Sequence, residues 1–275
     1  MIGGDNLFFR LRTFCRREEP RQLILDSQIW FSDVGHQDDI YEGRPRVQWR
    51  GPKPTVGEVR ATLGIQLRHL PSEDREREIN AVLAMLADDN LWEIDKAWIV
   101  FEIEKWFLGS SICSFFPDYL NARSWAQYAA NGTGYCLVFN FSQQWRLLAT
   151  HKGPPIPMRP APVIYTRDEN RPVVNVSGSV APAEEAIEEV RGALLTKSHN
   201  WAEQREHRLI RVGVQAGLVD FPVESLEGVI FGYDIDRNDR QMLLDLSAQR
   251  TKPLQFHSVR RSPSGYALEL VEFNP

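Results

Sequence analysis

Cysteine is scarce in this sequence, long apolar runs are absent, and positive charge is not in excess. Each shortage closes off a class of protein. The three cysteines, Cys15, Cys113 and Cys136, are scattered. They show no metal-binding spacing and leave an odd thiol if two of them pair. Cys113 and Cys136 sit in apolar runs and read as small core residues, and a reducing cytoplasm is the expected compartment. No stretch approaches the length of a membrane span, and Met1 to Arg12 lacks the apolar segment of a signal peptide, so a soluble chain with no membrane partner is expected. The formal net charge of -5 argues against broad electrostatic binding to nucleic acid and leaves room only for a local basic patch. The glycine-rich dinucleotide turn after the first strand, the phosphate-binding GxxxxGK[ST] loop, HExxH and GxSxG are all missing.

What is present is core-forming: 275 residues, 43% hydrophobic, with 8 Trp. That is enough for one large domain or two small ones. Leu7 to Thr13 reads as a strand with Leu7, Phe9 and Leu11 on one face and Phe8, Arg10 and Arg12 on the other. A short helix over Glu18 to Ser27 and a strand over Gln28 to Ser32 follow, then a polar loop from Asp33 to Lys53. Thr55-Val56-Gly57-Glu58 is a capping box opening a helix to about Leu70. Ser72 caps a second helix to Ala87, and a third runs from about Asn90 to Phe107. Residues 55–107 thus read as a helical insertion.

Further along, strands are expected at Ser110 to Phe116, Tyr135 to Phe141 and Val163 to Thr166, with a helix over Ala122 to Ala130 between the first two. An exposed excursion is expected from Arg167 to Ser179, then a helix from Pro182 to Leu195. The strand Gln204 to Val214 follows, then strands at Gly228 to Tyr233, Leu254 to Val259 and Ala267 to Phe273, with a helix from Asp236 to Gln249. Helices and strands are interleaved too irregularly for a β-helix-β repeat. The reading is a single α+β domain over 1–275 around a central, largely antiparallel sheet.

The Gln204 to Val214 segment is the one that suggests chemistry. Strand alternation puts Gln204, Glu206, Arg208, Ile210, Val212 and Val214 on one face. That face ends apolar and opens with an amide, a carboxylate and a guanidinium, which are costly to bury unless paired. The pattern fits either a polar cleft or a structural Glu206–Arg208 pair. Asp38, Asp39 and Glu42 form an acidic loop that either braces itself or offers oxygen ligands to a divalent cation. His199 and His207 are read as falling on different elements, so no histidine metal site is expected.

Five segments stand out together: Phe9 to Thr13; Ile29 to Ser32 with Asp38 to Gly43; Ile112 to Phe115 with Trp125 to Tyr128 and Gly134 to Phe139; Lys197, Trp201, Gln204, Glu206 and Arg208; and Val229 to Gly232. In this order they resemble a bacterial family known as domain of unknown function 2971. The resemblance runs over nearly the whole chain outside the helical insertion. It departs where Asp38-Asp39-Ile40 stands for the family's Asn-Asp-Pro, and where Gln204 stands for a frequent Glu.

The layout is in turn similar to that of ADP-ribosyltransferases, with Arg10, Ser114 and Gln204-Arg205-Glu206 in the positions of their Arg/His, Ser/Tyr and Gln/Glu-x-Glu. That similarity implies an ADP-ribosyltransferase-like fold and an enzyme using NAD as co-substrate, with no metal. It also implies a role as a toxin or in phage defence, acting on a protein, nucleic acid or small-molecule acceptor. Cleavage of the nicotinamide–ribose bond builds positive charge on the sugar, which a fixed carboxylate stabilises. Glu206 would be that carboxylate and Gln204 would orient the acceptor. Arg10 would neutralise the pyrophosphate. Ser114 would hold the Glu206 rotamer, Trp125 or Tyr128 would wall the nicotinamide, and Arg208 would join the cofactor site. Two other readings stay open: a non-catalytic binding or sensor module, and a metal-dependent nuclease or phosphoesterase using Asp38, Asp39, Glu42 and Glu206.

Overall fold

Alternation along the first strand sorts its side chains between two apolar layers, and the same sorting recurs on other long strands of the computed structural model. The structure describes residues 6–37, 39, 42, 44–49, 55–67, 70–87, 104, 107–142, 145–147, 156–167, 171–176 and 184–273. In chain order the strands are β1 (Leu7–Arg12), β2 (Gln28–Asp33), β3 (Arg46–Trp49), β4 (Ser111–Phe115), β5 (Tyr135–Asn140), β6 (Trp145–Leu147), β7 (Ile156–Met158) and β8 (Ala161–Pro162). They continue with β9 (Ile164–Thr166), β10 (Val173–Val176), β11 (Thr196–Ser198), β12 (His207–Arg211), β13 (Gly217–Asp220), β14 (Leu226–Phe231), β15 (Gln255–Arg261) and β16 (Leu268–Glu272). The helices are α1 (Glu19–Ile24), α2 (Val56–Gln66), α3 (Ser72–Ala87), α4 (Ala122–Tyr128), α5 (Glu184–Leu194) and α6 (Arg237–Ala248).

The fold is mixed α+β and mostly antiparallel. The expected central sheet is in fact two five-stranded sheets, ordered β1-β5-β14-β15-β16 and β13-β2-β4-β12-β8. Their facing sides share one apolar cluster, with Ile29, Phe31, Cys113, Phe115 and Leu209 from the second sheet against Tyr135, Leu137, Phe139, Val229 and Phe231 from the first. Leu23 and Ile24 of α1 and Leu243 of α6 join the same cluster. The outer side of the first sheet buries Phe9, Leu11, Cys136, Val138 and Ile230 under Trp125 of α4. The outer side of the second sheet buries Ile112 and Ile210 under Val190, Ala193 and Leu194 of α5. Strands β4, β5, β12 and β14 therefore carry apolar residues on both faces, as expected of sheets covered on both sides.

Four local expectations are corrected. The polar loop after Asp33 and the excursion after Arg167 each contain a short strand, β3 and β10, which pair in parallel, Val174 opposite Val47. Val174 is buried in the layer beneath α5. The strand expected from Gln204 begins only at His207, because His199–Gln204 forms a 3-10 turn and Arg205 takes a left-handed backbone, φ 47°. The helix expected to Ser27 stops at Ile24, and Ser27 itself has φ 52°.

The capping box at the start of α2 is present, with Thr55 N donating to Glu58 Oε2 at 2.7 Å and Glu58 N to Thr55 Oγ1 at 3.3 Å. Helices α2 and α3 pack on each other through Val59, Leu63 and Ile79, a small cluster of their own. Most of the third helix of that insertion lies outside the described residues. Among the described residues, no helix is long and apolar enough to cross a membrane.

A buried charge cluster beside a cavity

Four strands and one turn converge on the outer side of the second sheet. In the register of β12 with β4, Arg208 sits directly opposite Ser114, on the face that also carries Ile112 and Ile210. In the parallel pair β11–β9, Lys197 sits opposite Tyr165. Glu206 lies between the 3-10 turn and β12. Its backbone is fixed at both ends: its N–H donates to Tyr165 Oη at 2.8 Å, and its carbonyl accepts from Val163 N at 2.9 Å. The left-handed Arg205 lets the chain turn there, so Gln204 and Glu206 reach the same cluster without being in a strand.

The result is a cluster of two carboxylates and two cations, all nearly sealed from solvent: side-chain exposure is 1% for Glu42, 4% for Lys197, 3% for Glu206 and 1% for Arg208. Arg208 grips Glu206 with a two-pronged contact, Nε to Oε1 at 2.7 Å and Nη2 to Oε2 at 3.0 Å. Its third nitrogen, Nη1, donates to Leu194 O at the C-terminal end of α5 at 2.8 Å. Ser114 Oγ donates to Glu206 Oε1 at 2.5 Å. Lys197 Nζ reaches Glu206 Oε2 at 3.3 Å, Gln204 Oε1 at 3.2 Å and Glu42 Oε2 at 3.4 Å, and lies 4.9 Å from the centre of the Trp201 ring. Arg208 Nη2 also pairs with Glu42 Oε1. Gln204 passes the network outward, donating through Nε2 to Tyr128 Oη at 2.7 Å and Gln127 Oε1 at 3.1 Å.

The two acids respond differently to the same surroundings. Burial pushes Glu206 up, but the charge and hydrogen bonds of Arg208, then Lys197 and Ser114, outweigh it and hold the carboxyl at about 2. Glu42 is raised, because its burial outweighs the attraction of Arg208 and Lys197. Tyr165 is pushed up to about 12, chiefly by burial.

Of the expected site residues, Glu206, Gln204, Ser114, Tyr128 and Arg208 are brought together. The Glu206–Arg208 pair and the hold of Ser114 on Glu206 are both present. Arg10 and Trp125 are elsewhere. Alternation places Arg10 on the side of β1 that faces the inter-sheet layer. There its guanidinium donates to Cys113 Sγ at 3.0 Å, Ser114 O at 2.8 Å and Trp30 O at 3.2 Å, over the Phe115 ring. The Ser114 hydroxyl points to the opposite side of β4, so Arg10 and Glu206 are separated by the sheet. Trp125 is fully buried in the layer under α4, its indole N–H donating to Tyr119 O at 2.7 Å; it offers no ring face to a ligand. Tyr128 is half-buried, with its ring 5.1 Å from that of Phe116.

Glu42, Lys197 and Tyr165 are members that the strand pattern did not assign to a site. Lys197 had a signal, a lysine two residues past an apolar pair and four before a tryptophan. Glu42 lay in the acidic loop, whose Asp39 accepts from Ser198 N at 3.3 Å; Asp38 lies outside the described residues. Among the described residues, no group of three or more His, Cys, Asp or Glu is placed to hold a metal ion.

A cavity of about 270 Å³ lies beside this cluster. Asp39, Glu42, Thr166, Thr196, Lys197 and Ser198 are among its lining residues. Arg44, Arg167 and Arg171 line it as well, and Arg171 Nε donates to the carbonyl of Arg44 at 2.9 Å. Among the described residues, no carboxylate pairs with Arg44 or Arg167. Glu206 and Arg208 are not on the lining.

A family model described as "Protein of unknown function (DUF2971)" matches residues 124–209. The match is narrower than the five segments of the expected resemblance. It contains Tyr128, Lys197, Gln204, Glu206 and Arg208 but not Arg10, Glu42 or Ser114. No curated protein and no solved structure matches the chain.

Proposed function

We propose that the protein binds a small phosphate-bearing ligand of the nucleotide class, NAD or a fragment of its kind, in the cavity beside the charge cluster. The observation that carries this reading is the pair of arginines, Arg44 and Arg167, lining a concave site without a carboxylate partner among the described residues. Guanidinium groups match phosphate oxygens with paired donors, and such contacts are the stronger kind of hydrogen bond. The volume limits the ligand. At about 270 Å³ the cavity lies just below the span of roughly 300–1,000 Å³ common for small-molecule pockets, so it suits a mononucleotide or one half of a dinucleotide. Calorimetry with NAD, ADP-ribose, AMP and inorganic phosphate tests it. At least one should bind, and Arg44→Ala with Arg167→Ala should weaken it by about tenfold or more. Absence of binding by all four at millimolar concentration overturns the reading.

A second reading, an ADP-ribosyltransferase-like enzyme with Glu206 at the reacting sugar, is favoured by the Ser114–Glu206 hydrogen bond and by Gln204 joining the same network. It must account for Arg10 on the far side of the sheet and for a Glu206 already held by Arg208, Lys197 and Ser114. Its measurement is nicotinamide release from NAD by the wild type and by Glu206→Gln. Release by the wild type alone supports it. No release, or equal release by both, removes it.

A further inference from the structure

We infer that the ligand carries two linked phosphates, one held in the cavity by Arg44 and Arg167 and the next lying just outside it on Arg46. This rests on the phosphate-binding reading above and extends it beyond the cavity. Burial and register place Arg46 on the same side as Arg44. Along β3, Pro45 is buried and Val47 packs into the layer beneath α5, whereas Arg44 and Arg46 are exposed. Successive side chains point to opposite faces, so Arg44 and Arg46 share the outward one. The parallel partner repeats the pattern: Val174, opposite Val47, is buried, and Val173, opposite Arg46, is 37% exposed. Arg46 N donates to Pro172 O at 2.9 Å and Arg171 Nε to Arg44 O at 2.9 Å, which carries the alignment back to the cavity. The outward face of the β3–β10 pair therefore starts with Arg44 and Arg171, both on the cavity lining, and meets Arg46 one step further on.

Arg46 is not itself on the lining, and among the described residues no carboxylate pairs with it. Two residues along a strand span roughly 7 Å at the backbone. Arginine side chains are long enough to close that gap, so Arg44 and Arg46 can each take one of two adjacent phosphates. The next outward position is neutral. There Gln48 Nε2 donates to Asn175 Oδ1 at 3.0 Å, and Glu189 Oε2 accepts from Asn175 N at 3.1 Å. A third phosphate at that point would gain no guanidinium and would lie toward a carboxylate. The spacing of charge along this face thus fits a diphosphate. The cavity, too small for a whole dinucleotide, would then hold one end of a ligand whose second phosphate lies outside it.

The test compares AMP with ADP by calorimetry on the whole chain at one salt concentration. ADP should bind at least about tenfold more tightly than AMP. Arg46→Ala should remove most of that gain and leave AMP affinity within about twofold of the wild type. Equal binding of AMP and ADP to the wild type overturns the inference and leaves the cavity reading standing. So does a gain that survives Arg46→Ala, or an equal loss for both ligands, since either result makes Arg46 something other than the partner of the second phosphate. If neither nucleotide nor inorganic phosphate binds, both readings fall together. Should the alanine variant not fold, Arg46→Gln, which keeps the side-chain stem, gives the same comparison.

Discussion

Glu206 and Glu42 share Lys197 and Arg208 as cationic neighbours and yet bend stability in opposite directions. For Glu206 the folded carboxyl, near 2, lies below its ordinary value of 4.5. A depressed acid contributes stability that is present above the ordinary value and lost as pH falls through the folded one. The window is therefore about pH 4.5 down to 2, and the difference corresponds to roughly 3 kcal/mol. Glu42 is raised, so the folded protein holds that proton more tightly than the unfolded chain, and its stabilising effect fades as pH rises above its ordinary 4.5. The two windows do not overlap, which makes the Glu206 contribution readable on its acid side. Urea unfolding followed from pH 5 to 2 should lose on the order of 3 kcal/mol more in the wild type than in Glu206→Gln. Parallel acid profiles for the two would mean that Glu206 is not held ionised by its neighbours. The substitution itself will destabilise at neutral pH, because it leaves Arg208 and Lys197 with one buried carboxylate between them.

At the scale of elements, the most constrained joint is where the turn after α4 meets the end of β14. Gly232 N donates to Gly134 O, and Asp234 N to Gly132 O, each at 3.0 Å. A Cβ on Gly232 would fall 2.1 Å from Gly132 O and 2.6 Å from Gly134 O, and both are backbone atoms that cannot swing aside. Gly232→Ala should cost on the order of 3 kcal/mol in a denaturant midpoint. Gly265→Ala, with open space around it, should change stability by less than about 0.5 kcal/mol. Equal midpoints for the two variants would show that the joint relaxes freely.

The same elements show how far a sequence can be read. Strands β1, β4, β5 and β14 carry strong apolar alternation or continuous apolar runs, and α2 opens on a capping box and α6 on the N-cap Asp236, so their positions were legible within a few residues. Strands β3 and β10 were not. Four residues each, 127 positions apart in their pairing, they have no local signal beyond a pair of valines and are defined only by each other. Within the site, the face shared by Glu206 and Arg208 followed from period-two alternation, even though the strand starts at His207. The same alternation, applied to β1, could not say that its Arg10 face looks into the layer between two sheets, because a single central sheet was expected. Glu42 was legible as an acidic-loop residue and illegible as the buried partner of Lys197 and Arg208, since that depends on β11 and β12 arriving from 155 and more residues later.

For the whole molecule, charge is divided between two environments that salt should separate. The chain carries a formal net charge of -5, so its long-range field repels an anion. Attraction must come from Arg44 and Arg167 at short range. Both face solvent, and the Debye length near physiological salt is about 8 Å, so their pull is open to screening. The four charges of the cluster sum to zero and are sealed from solvent, so counterions cannot reach them. A buried cluster of this kind is weakly screened, and its worth lies in not being broken rather than in net stabilisation. Raising salt from about 0.05 to 0.5 M should therefore weaken binding of AMP severalfold, while the urea midpoint shifts little. Calorimetry and urea titration on the same samples check the pair. Should binding prove indifferent to salt, the ligand is held by uncharged groups of the cavity and the arginines are bystanders. A midpoint that falls steeply with binding unchanged would mean that the cluster is open to solvent and that its ion pairs are screened like surface pairs.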